Sequence, residues 1–230
     1  MRTAIVLPFL LALISMGCVD SGKNKTLNSD AKEKKPLIAK HYYSGFPLAH
    51  DTYNTITAAS DGKIYYCLSS PSIDVGGQYY VFDPKDESIG HLGDITEICG
   101  EAGTKAIPQG KSHCIFYESK GKLYVSTHAG YYEMTGGMEI MVQNPPPGYT
   151  FYPGGHILSY DLSSGKFEDL VTVSDGEAIV TMTMDTLRGQ IYAISWPTGY
   201  FLHYDVEKGE LKNLGKVSAN GEAGTPGEDY

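Results

Sequence analysis

The sequence predicts an all-β fold. Its 230 residues include 18 tyrosines and 27 glycines but only one tryptophan. Tyrosine favours strands and glycine favours turns, so this composition is typical of many short strands joined by tight turns. No apolar stripe with the helical period of about 3.6 residues is sustained after residue 40. The pattern therefore excludes an architecture built on helices.

A repeat occurs three times along the chain. Its first half is a glycine, a basic or amide residue, isoleucine or leucine, and tyrosine, and begins at Gly62, Gly121 and Gly189. Its second half is an aromatic residue followed by aspartate, with a leucine nine residues after the aspartate. These aspartate and leucine pairs are Asp83 and Leu92, Asp161 and Leu170, and Asp205 and Leu214. The constant spacing predicts four strands in each repeat, with the aspartate opening a turn after the third strand.

Four-stranded units in tandem are typical of the blades of a β-propeller. Three units are present, whereas a closed ring usually needs about 4–8. The last segment, Ser218–Tyr230, is polar and predicts no strand that would complete a ring. We therefore predict an incomplete β-propeller over residues 40–230, with about three blades, and expect the sequence to be a fragment of a longer propeller.

The N-terminus predicts export. Arg2 is followed by an apolar run of 11 residues from Ala4 to Ile14, which is too short to span a bilayer and fits a secretory signal. Gly17-Cys18 at the end of the run is similar to the lipidation site of bacterial lipoproteins. We predict a lipoprotein-type signal peptide over 1–18, a lipid on Cys18, and a polar tether over 19–39. The protein would then be periplasmic or at the cell surface, bound to the membrane through its lipid. An ordinary cleaved signal with an incidental cysteine is the alternative.

The charge of the chain argues against one class of partner, and its cysteines leave a disulfide open. Beyond residue 36 there are 12 lysines and arginines against 24 acidic residues, which argues against nucleic acid as a partner. Besides Cys18 the chain has Cys67, Cys99 and Cys114. Export permits a disulfide, and three cysteines allow at most one, so any pairing among them stays open.

Two histidines mark the central repeat. If Lys120-Gly121 forms the turn of a hairpin, Ser119 pairs with Lys122, and His113 lies opposite His128. Side chains directly opposite each other have Cβ atoms ~4.5–5.5 Å apart, so both imidazoles could contact one bound atom. We therefore predict His113 and His128 as a catalytic pair.

The other two repeats do not carry these histidines. The first has Asn54 and Ser69 at the equivalent positions, and the third has Thr181 and Trp196. Building a four-stranded unit therefore does not require histidine there. A hydrogen-bonded detail of the blade rim is the structural alternative for the pair.

Further candidates are expected on the same rim, where a rigid β scaffold carries its functional loops. The predicted substrate-binding residues are Lys111, Tyr131, Tyr132, His156, Trp196 and Tyr200. For His156 and Trp196, an ordinary loop position and a packed aromatic are the alternatives. Three histidines suffice to bind zinc, so His113, His128 and His156 are also a candidate metal site, either structural or hydrolytic, and the cofactor is left open.

Several segments resemble secreted bacterial β-propellers related to the ulvan lyases. They are GKSH, GKLYVSTH, PGGHILSYD and RGQIYAISWPTGYFLHYD, and the likeness extends from about Tyr42 to Val217. The resemblance implies cleavage of an anionic polysaccharide by β-elimination at a uronate. It also implies that His113 and His128 correspond to the two histidines of that family.

Two other family residues have no clear counterpart. The family arginine is missing, because Arg188 lies in the turn before Gly189 and is expected on the opposite rim. Lys111 could offset the charge of a carboxylate, or blades beyond this sequence could supply the arginine. Tyr131 and Tyr132 both remain candidates for the family tyrosine.

Two functions follow as expectations. The first is an exported, lipid-anchored propeller with polysaccharide lyase-like chemistry, in which a histidine removes the proton next to a uronate carboxylate. The alternative is a non-catalytic propeller that binds a glycan or a protein.

Overall fold

A computed structural model describes residues 36–217. The predicted signal peptide with Cys18, most of the tether and the segment 218–230 lie outside the described residues. Residues 36–40 have no regular secondary structure. The body that follows is all-β apart from one short helix, which confirms the predicted fold class. Within residues 36–217 no helix is long and apolar enough to cross a bilayer.

The first four-stranded sheet is an antiparallel meander. Its strands, in chain order and in spatial order, are β1 (Ile56–Ala58), β2 (Ile64–Leu68), β3 (Gln78–Asp83) and β4 (Ser88–Asp94). A four-residue helix follows directly, α1 (Ile95–Ile98), whose first turn is capped by the carboxylate of Asp94.

The middle sheet contains the predicted hairpin and is interrupted by inserted segments. Before it comes β5 (Gln109–Lys111), and its first two strands are β6 (Tyr117–Ser119) and β7 (Lys122–Ser126). Three short strands follow, β8 (His128–Ala129), β9 (Glu133–Thr135) and β10 (Met138–Ile140). The sheet is completed by β11 (His156–Asp161) and β12 (Lys166–Thr172), in the spatial order β6-β7-β11-β12. β5 pairs with β8 and β9 pairs with β10, so each pair is a separate small sheet at the end of the unit.

The third sheet is again a simple meander. Its strands are β13 (Ala178–Asp185), β14 (Gln190–Trp196), β15 (Tyr200–Asp205) and β16 (Glu210–Lys216). The described residues thus contain three four-stranded units, as the repeat predicts. Their membership of a closed propeller stays a prediction.

The aspartate that recurs in the three repeats stabilises a turn. The third strands end at Asp83, Asp161 and Asp205, as predicted. The carboxylate of Asp161 accepts hydrogen bonds from the backbone N–H groups of Ser163 and Ser164 at 3.0 and 2.8 Å. Asp205 accepts the equivalent pair from residues 207 and 208 at 3.1 Å each. The aspartate therefore closes the turn between the third and fourth strands in both units.

The recurring leucine sits at a β-bulge. In the first unit, Tyr79 pairs with Gly93 and Tyr80 pairs with His91, so Leu92 is left without a partner in the ladder. Leu170 is skipped in the same way in the second unit. In the third unit the ladder between β15 and β16 is irregular at the segment that holds Leu214. The spacing of nine residues thus marks the same interruption in all three units.

The main core lies between the sheets. Aromatic rings join the first and second units, with Tyr79 stacked on Phe167 at 5.2 Å and Tyr65 against Tyr160 at 5.7 Å between ring centroids. The second and third units are joined partly through hydrogen bonds, including one from the phenol of Tyr117 to the carbonyl of Met182 at 3.0 Å. The middle sheet is therefore covered on both faces, which fixes the hairpin that carries the histidines.

Candidate functional site

The site lies where β5 and β8 meet at the end of the middle sheet. Three backbone segments are pressed together here, because a Cβ on Gly110 would overlap the Cα of Gly130, and a Cβ on Gly130 would overlap the carbonyl oxygen of Ser70. The N–H of Ser70 donates to the carbonyl of Gly110 at 2.9 Å. Only glycine permits such an approach, and the result is a rigid base for the neighbouring side chains.

The hairpin register is as predicted near its turn and shifts further away. Ser119 pairs with Lys122 as expected. The chain between β5 and β6 then leaves the ladder, so that His128 pairs with Lys111 instead of His113. The expected direct pairing of the two histidines is therefore wrong. Their imidazoles still lie side by side, with ring centroids 4.6 Å apart and an angle of 42° between the planes.

His113 is enclosed by other rings. Tyr53 stacks on its imidazole with ring centroids 4.4 Å apart. The Nε2 atom of His113 is buried and makes no hydrogen bond to any residue in 36–217. Burial, together with the nearby charge of Lys111, lowers the pKa of His113 to about 4. The imidazole is therefore neutral near pH 7 and has one nitrogen without a partner.

His128 is held in one orientation. Its Nδ1 lies 3.0 Å from the carbonyl oxygen of Ala129 and 2.8 Å from the phenol oxygen of Tyr132. Because a carbonyl only accepts, we assign the proton of the neutral ring to Nδ1, which leaves the lone pair on Nε2. Burial and the adjacent His113 lower the pKa of His128 well below its usual range. Neither imidazole is therefore the cation of this group of residues.

Lys111 supplies that cation. Its side chain is buried, and its ammonium lies 4.3 Å from the ring centroid of Tyr53 and 4.5 Å from that of Tyr132. One hydrogen bond is present, to the phenol oxygen of Tyr53 at 2.9 Å, although an ammonium has three N–H donors. Burial lowers the pKa of Lys111, and the carboxylates of Glu139 and Asp51 partly oppose this effect.

These residues line a cleft of about 170 Å³, which we call the lysine cleft. Its lining consists of Lys111, His113, His128, Tyr132, Glu139, Val180 and Trp196. Trp196 lies 5.4 Å from the imidazole of His128 and stands edge-on to Tyr132 at 5.8 Å between centroids. The cleft thus combines a cation, a carboxylate, two neutral imidazoles, a phenol and an indole ring.

The structure separates His156 from this group. Its Nε2 lies 2.8 Å from the carboxylate of Glu101, and its Nδ1 lies 2.8 Å from that of Asp169. Burial lowers the pKa of His156, but hydrogen bonds to Asp169, Cys99 and Glu101 outweigh it and raise the pKa to about 11. Both ring nitrogens are thus engaged by carboxylates, and the side chain links β11 to its neighbours below the rim.

The remaining predicted residues lie around the lysine cleft without lining it. Tyr131 packs against the apolar cluster that contains Trp196. Tyr200 packs on the main core, and its N–H donates to the hydroxyl of Ser195 at 3.0 Å. Arg188 is exposed and forms an ion pair with Asp185 at 2.6 Å, outside the cleft as expected.

Two contributors were missed at the sequence level, Tyr53 and Glu139. Tyr53 lies before β1, and its backbone adopts φ +45°, a left-handed conformation that is uncommon for a tyrosine. Glu139 reaches the cleft from β10, part of a hairpin that the repeat pattern does not predict. No short-range sequence signal places either residue near Lys111.

Metal ligands and disulfides can also be assessed. Among residues 36–217 no group of three or more histidine, cysteine or acidic side chains converges as metal ligands. With both nitrogens of His156 bound to carboxylates, this histidine is not a third ligand beside His113 and His128. Cys67, Cys99 and Cys114 are buried free thiols, so no disulfide joins them.

Comparison with known proteins gives only distant likenesses. No protein-family model matches the chain, and no curated protein matches it. A protein of unknown function from Bacteroides thetaiotaomicron is 12% identical with a TM-score of 0.48, and the match covers 77% of this chain and 34% of that one. Auxiliary nutrient binding proteins from Bacteroides thetaiotaomicron and Bacteroides ovatus are 14% and 16% identical. Each has a TM-score of 0.43, with 75% and 76% of this chain and 32% and 33% of theirs covered. The chain thus spans about a third of the length of these structures, and likenesses this remote carry no functional information.

Proposed function

We propose that the protein is an exported, lipid-anchored β-propeller that binds a uronate-containing polysaccharide in the lysine cleft and cleaves it by β-elimination. One observation carries the proposal, which is the buried ammonium of Lys111 beside two neutral imidazoles. A buried cation is costly unless it is paired, and the hydrogen bond that this ammonium makes goes to the neutral phenol of Tyr53, while the carboxylates of Glu139 and Asp51 act on it only electrostatically. A substrate carboxylate would provide the missing partner.

The reaction needs three groups in addition to that cation-bound carboxylate. A base removes the proton on the carbon next to the carboxylate, and His113 has the unpartnered nitrogen for this role. The C–H electron pair forms a carbon–carbon double bond while the glycosidic C–O bond at the β position breaks. The leaving oxygen takes a proton, for which we assign the phenol of Tyr132, which accepts from His128 and donates its O–H to the carbonyl of Ala129 in the free protein. Lys111 stabilises the negative charge that develops on the carboxylate.

Substrate binding would also prepare the base. The charge of Lys111 is one of the two causes that lower the pKa of His113. A carboxylate bound to Lys111 offsets that charge and therefore raises the pKa of His113 toward the range of an effective base. The weak basicity of His113 in the free protein is thus compatible with the assignment.

Binding without cleavage is the second candidate function, and a specific observation favours it. His128 is only 3% exposed, and the Nε2 atom of His113 is closed off from solvent. Such burial suits a site that recognises a glycan or a protein carboxylate through Lys111 and Trp196 without chemistry at the imidazoles.

The decisive experiment is incubation of the full chain with uronate polysaccharides while the absorbance of the unsaturated product is followed. Elimination predicts product formation that is lost in His113→Gln and in Lys111→Met and retained in two matched controls. The controls are His41→Gln and Lys212→Met, because both side chains are exposed and lie outside the lysine cleft. Quenching of Trp196 fluorescence by uronate ligands without product would overturn the lyase assignment and support binding alone.

Lipid anchoring is tested separately. Cys18→Ser should abolish incorporation of labelled fatty acid and move the protein from the membrane fraction to the soluble fraction. Unchanged labelling of the variant would contradict the assignment.

A further inference from the structure

A second cleft opens beside the lysine cleft. It has a volume of about 300 Å³, and Pro197 lines it, whereas the preceding residue, Trp196, lines the lysine cleft. An apolar cluster that includes Val142, Tyr152 and Trp196 supports both clefts from behind. The two clefts are therefore connected through Trp196-Pro197 and this apolar cluster.

The second cleft has the surface chemistry of a sugar site. Phe151 is 61% exposed, and with Met141 and Pro197 it forms a flat apolar wall. The amide of Gln143 and the carboxylate of Asp175 lie at its edge, and both residues are exposed. An aromatic face packs against the C–H face of a sugar ring, while amide and carboxylate groups hydrogen-bond its hydroxyls. Phe151 thus exposes an aromatic ring within a cleft, where such a ligand could cover it.

The second cleft is acidic, whereas Lys111 and Glu139 both line the lysine cleft and balance each other in charge. Glu177 is 6% exposed, and its carboxylate is fixed by bonds from the hydroxyls of Ser195 and Thr198 and from the N–H of Thr198 at 3.2 Å. Asp175 adds a second carboxylate, and the lining contains no lysine, arginine or histidine. A uronate or a sulfated sugar would be repelled here, whereas an uncharged sugar would not.

We propose that the second cleft binds an uncharged sugar unit next to the uronate held in the lysine cleft. The matching polysaccharide therefore carries neutral sugars beside its uronates and is not a homopolymer of uronic acid. This inference rests on the proposed function, because the identity of the first sugar comes from Lys111.

The first experiment compares the binding of two oligosaccharide probes. An oligosaccharide of alternating glucuronate and N-acetylglucosamine is compared with an oligogalacturonate of the same length. Binding to each is measured by calorimetry for the wild type, Phe151→Ala and Asp175→Asn. Phe201→Ala is the matched control, since Phe201 is also exposed and lies outside the second cleft. We expect Phe151→Ala to weaken binding of the alternating probe by about tenfold and to leave oligogalacturonate unchanged.

A second experiment detects ligand binding in the second cleft directly. It is needed if the protein accepts the glycosidic linkages of neither oligosaccharide probe. Methyl NMR of labelled methionine follows Met141, which lines the second cleft, with exposed Met134 as the reference signal. Neutral gluco-oligosaccharides at saturating concentration should shift Met141 in the wild type and not in Phe151→Ala. An unshifted Met141, or an equal loss of both probes in Phe151→Ala, would overturn the second cleft as a sugar site. A shifted Met141 without any response of Trp196 to uronates would instead overturn the proposed function and leave the neutral site standing.

Discussion

The ammonium of Lys111 lies 2.9 Å from the phenol oxygen of Tyr53, and this is its single hydrogen bond among the described residues. A charge held in this way lacks partners for two of its donors. The incompletely paired ammonium of Lys111 therefore lowers the stability of the folded protein. Such a cost is usual at a site where a ligand supplies the missing partner.

Lys111→Met should accordingly keep or raise the stability of the protein while it weakens the binding of carboxylate ligands. Replacing an incompletely paired buried charge by an apolar side chain of similar size is neutral or stabilising by about 1–4 kcal/mol. Binding of a carboxylate ligand should weaken by about 2 kcal/mol or more, roughly 30-fold. Denaturant unfolding and Trp196 fluorescence titrations measure the two quantities. A variant that loses stability and keeps its affinity would contradict the assignment of Lys111.

The pKa of His113 should respond to the charge beside it. Lys111 contributes to the lowering of that pKa to about 4, so Lys111→Met should raise it, and so should a bound uronate in the wild type. NMR titration of the imidazole C–H signals provides the measurement. Lys212→Met serves as the reference, because its exposed ammonium should leave the pKa unchanged. An identical pKa in all four samples would show that Lys111 and His113 are not coupled.

His156 should make stability depend on pH. Its pKa is raised in the folded state, so it binds a proton more tightly there than in the unfolded chain. Its contribution is therefore complete below about pH 6.5 and declines as the pH rises toward 11. We expect the free energy of unfolding to fall between about pH 6.5 and 8, before the cysteines, tyrosines and lysines of the unfolded chain titrate.

His156→Gln should remove this pH dependence and lower stability at pH 6 by about 3–5 kcal/mol, because two carboxylates lose their partner. His203→Gln is the control, since His203 bonds only to the amide of Gln190 and stacks on Tyr192. A His156→Gln variant that keeps the slope of the wild type would assign the pH dependence to another group.

Gly130→Ala should lower the free energy of unfolding, because it disturbs the backbone that supports the site. The added methyl group would collide with the carbonyl of Ser70, and backbone atoms cannot move aside as a side chain can. We expect a loss of about 3 kcal/mol in the free energy of unfolding. Gly209→Ala should cost only about 1 kcal/mol, because its surroundings are open and only its left-handed backbone, φ +68°, is strained. Equal costs for the two variants would show that the close approach at Gly130 relaxes easily.

The repeat predicts the scaffold because its signals are local. A turn glycine, a strand tyrosine and a turn aspartate each act within a few residues, and the third strands end at Asp83, Asp161 and Asp205 as the pattern requires. The same locality limits the prediction of the site. Tyr53 reaches Lys111 across 58 positions of sequence, and the left-handed backbone that aims it leaves no recognisable pattern.

The histidines show what the comparison of the repeats predicts and what it does not. Comparing the repeats singled out His113 and His128, and their rings are neighbours. That comparison does not predict how deeply both are buried, which depends on side chains from β10 and β14. His156 shares their residue type, but the carboxylates of Glu101 and Asp169 decide its environment.

The bulge in the fourth strand has a consequence for which side chains face the core. The ladder is broken at Leu92, at Leu170 and beside Leu214. Because side chains alternate between the two faces of a sheet, one extra residue exchanges the inward and outward positions of the residues that follow it. In each unit, the parts of the fourth strand before and after the bulge therefore follow opposite alternations of inward and outward side chains.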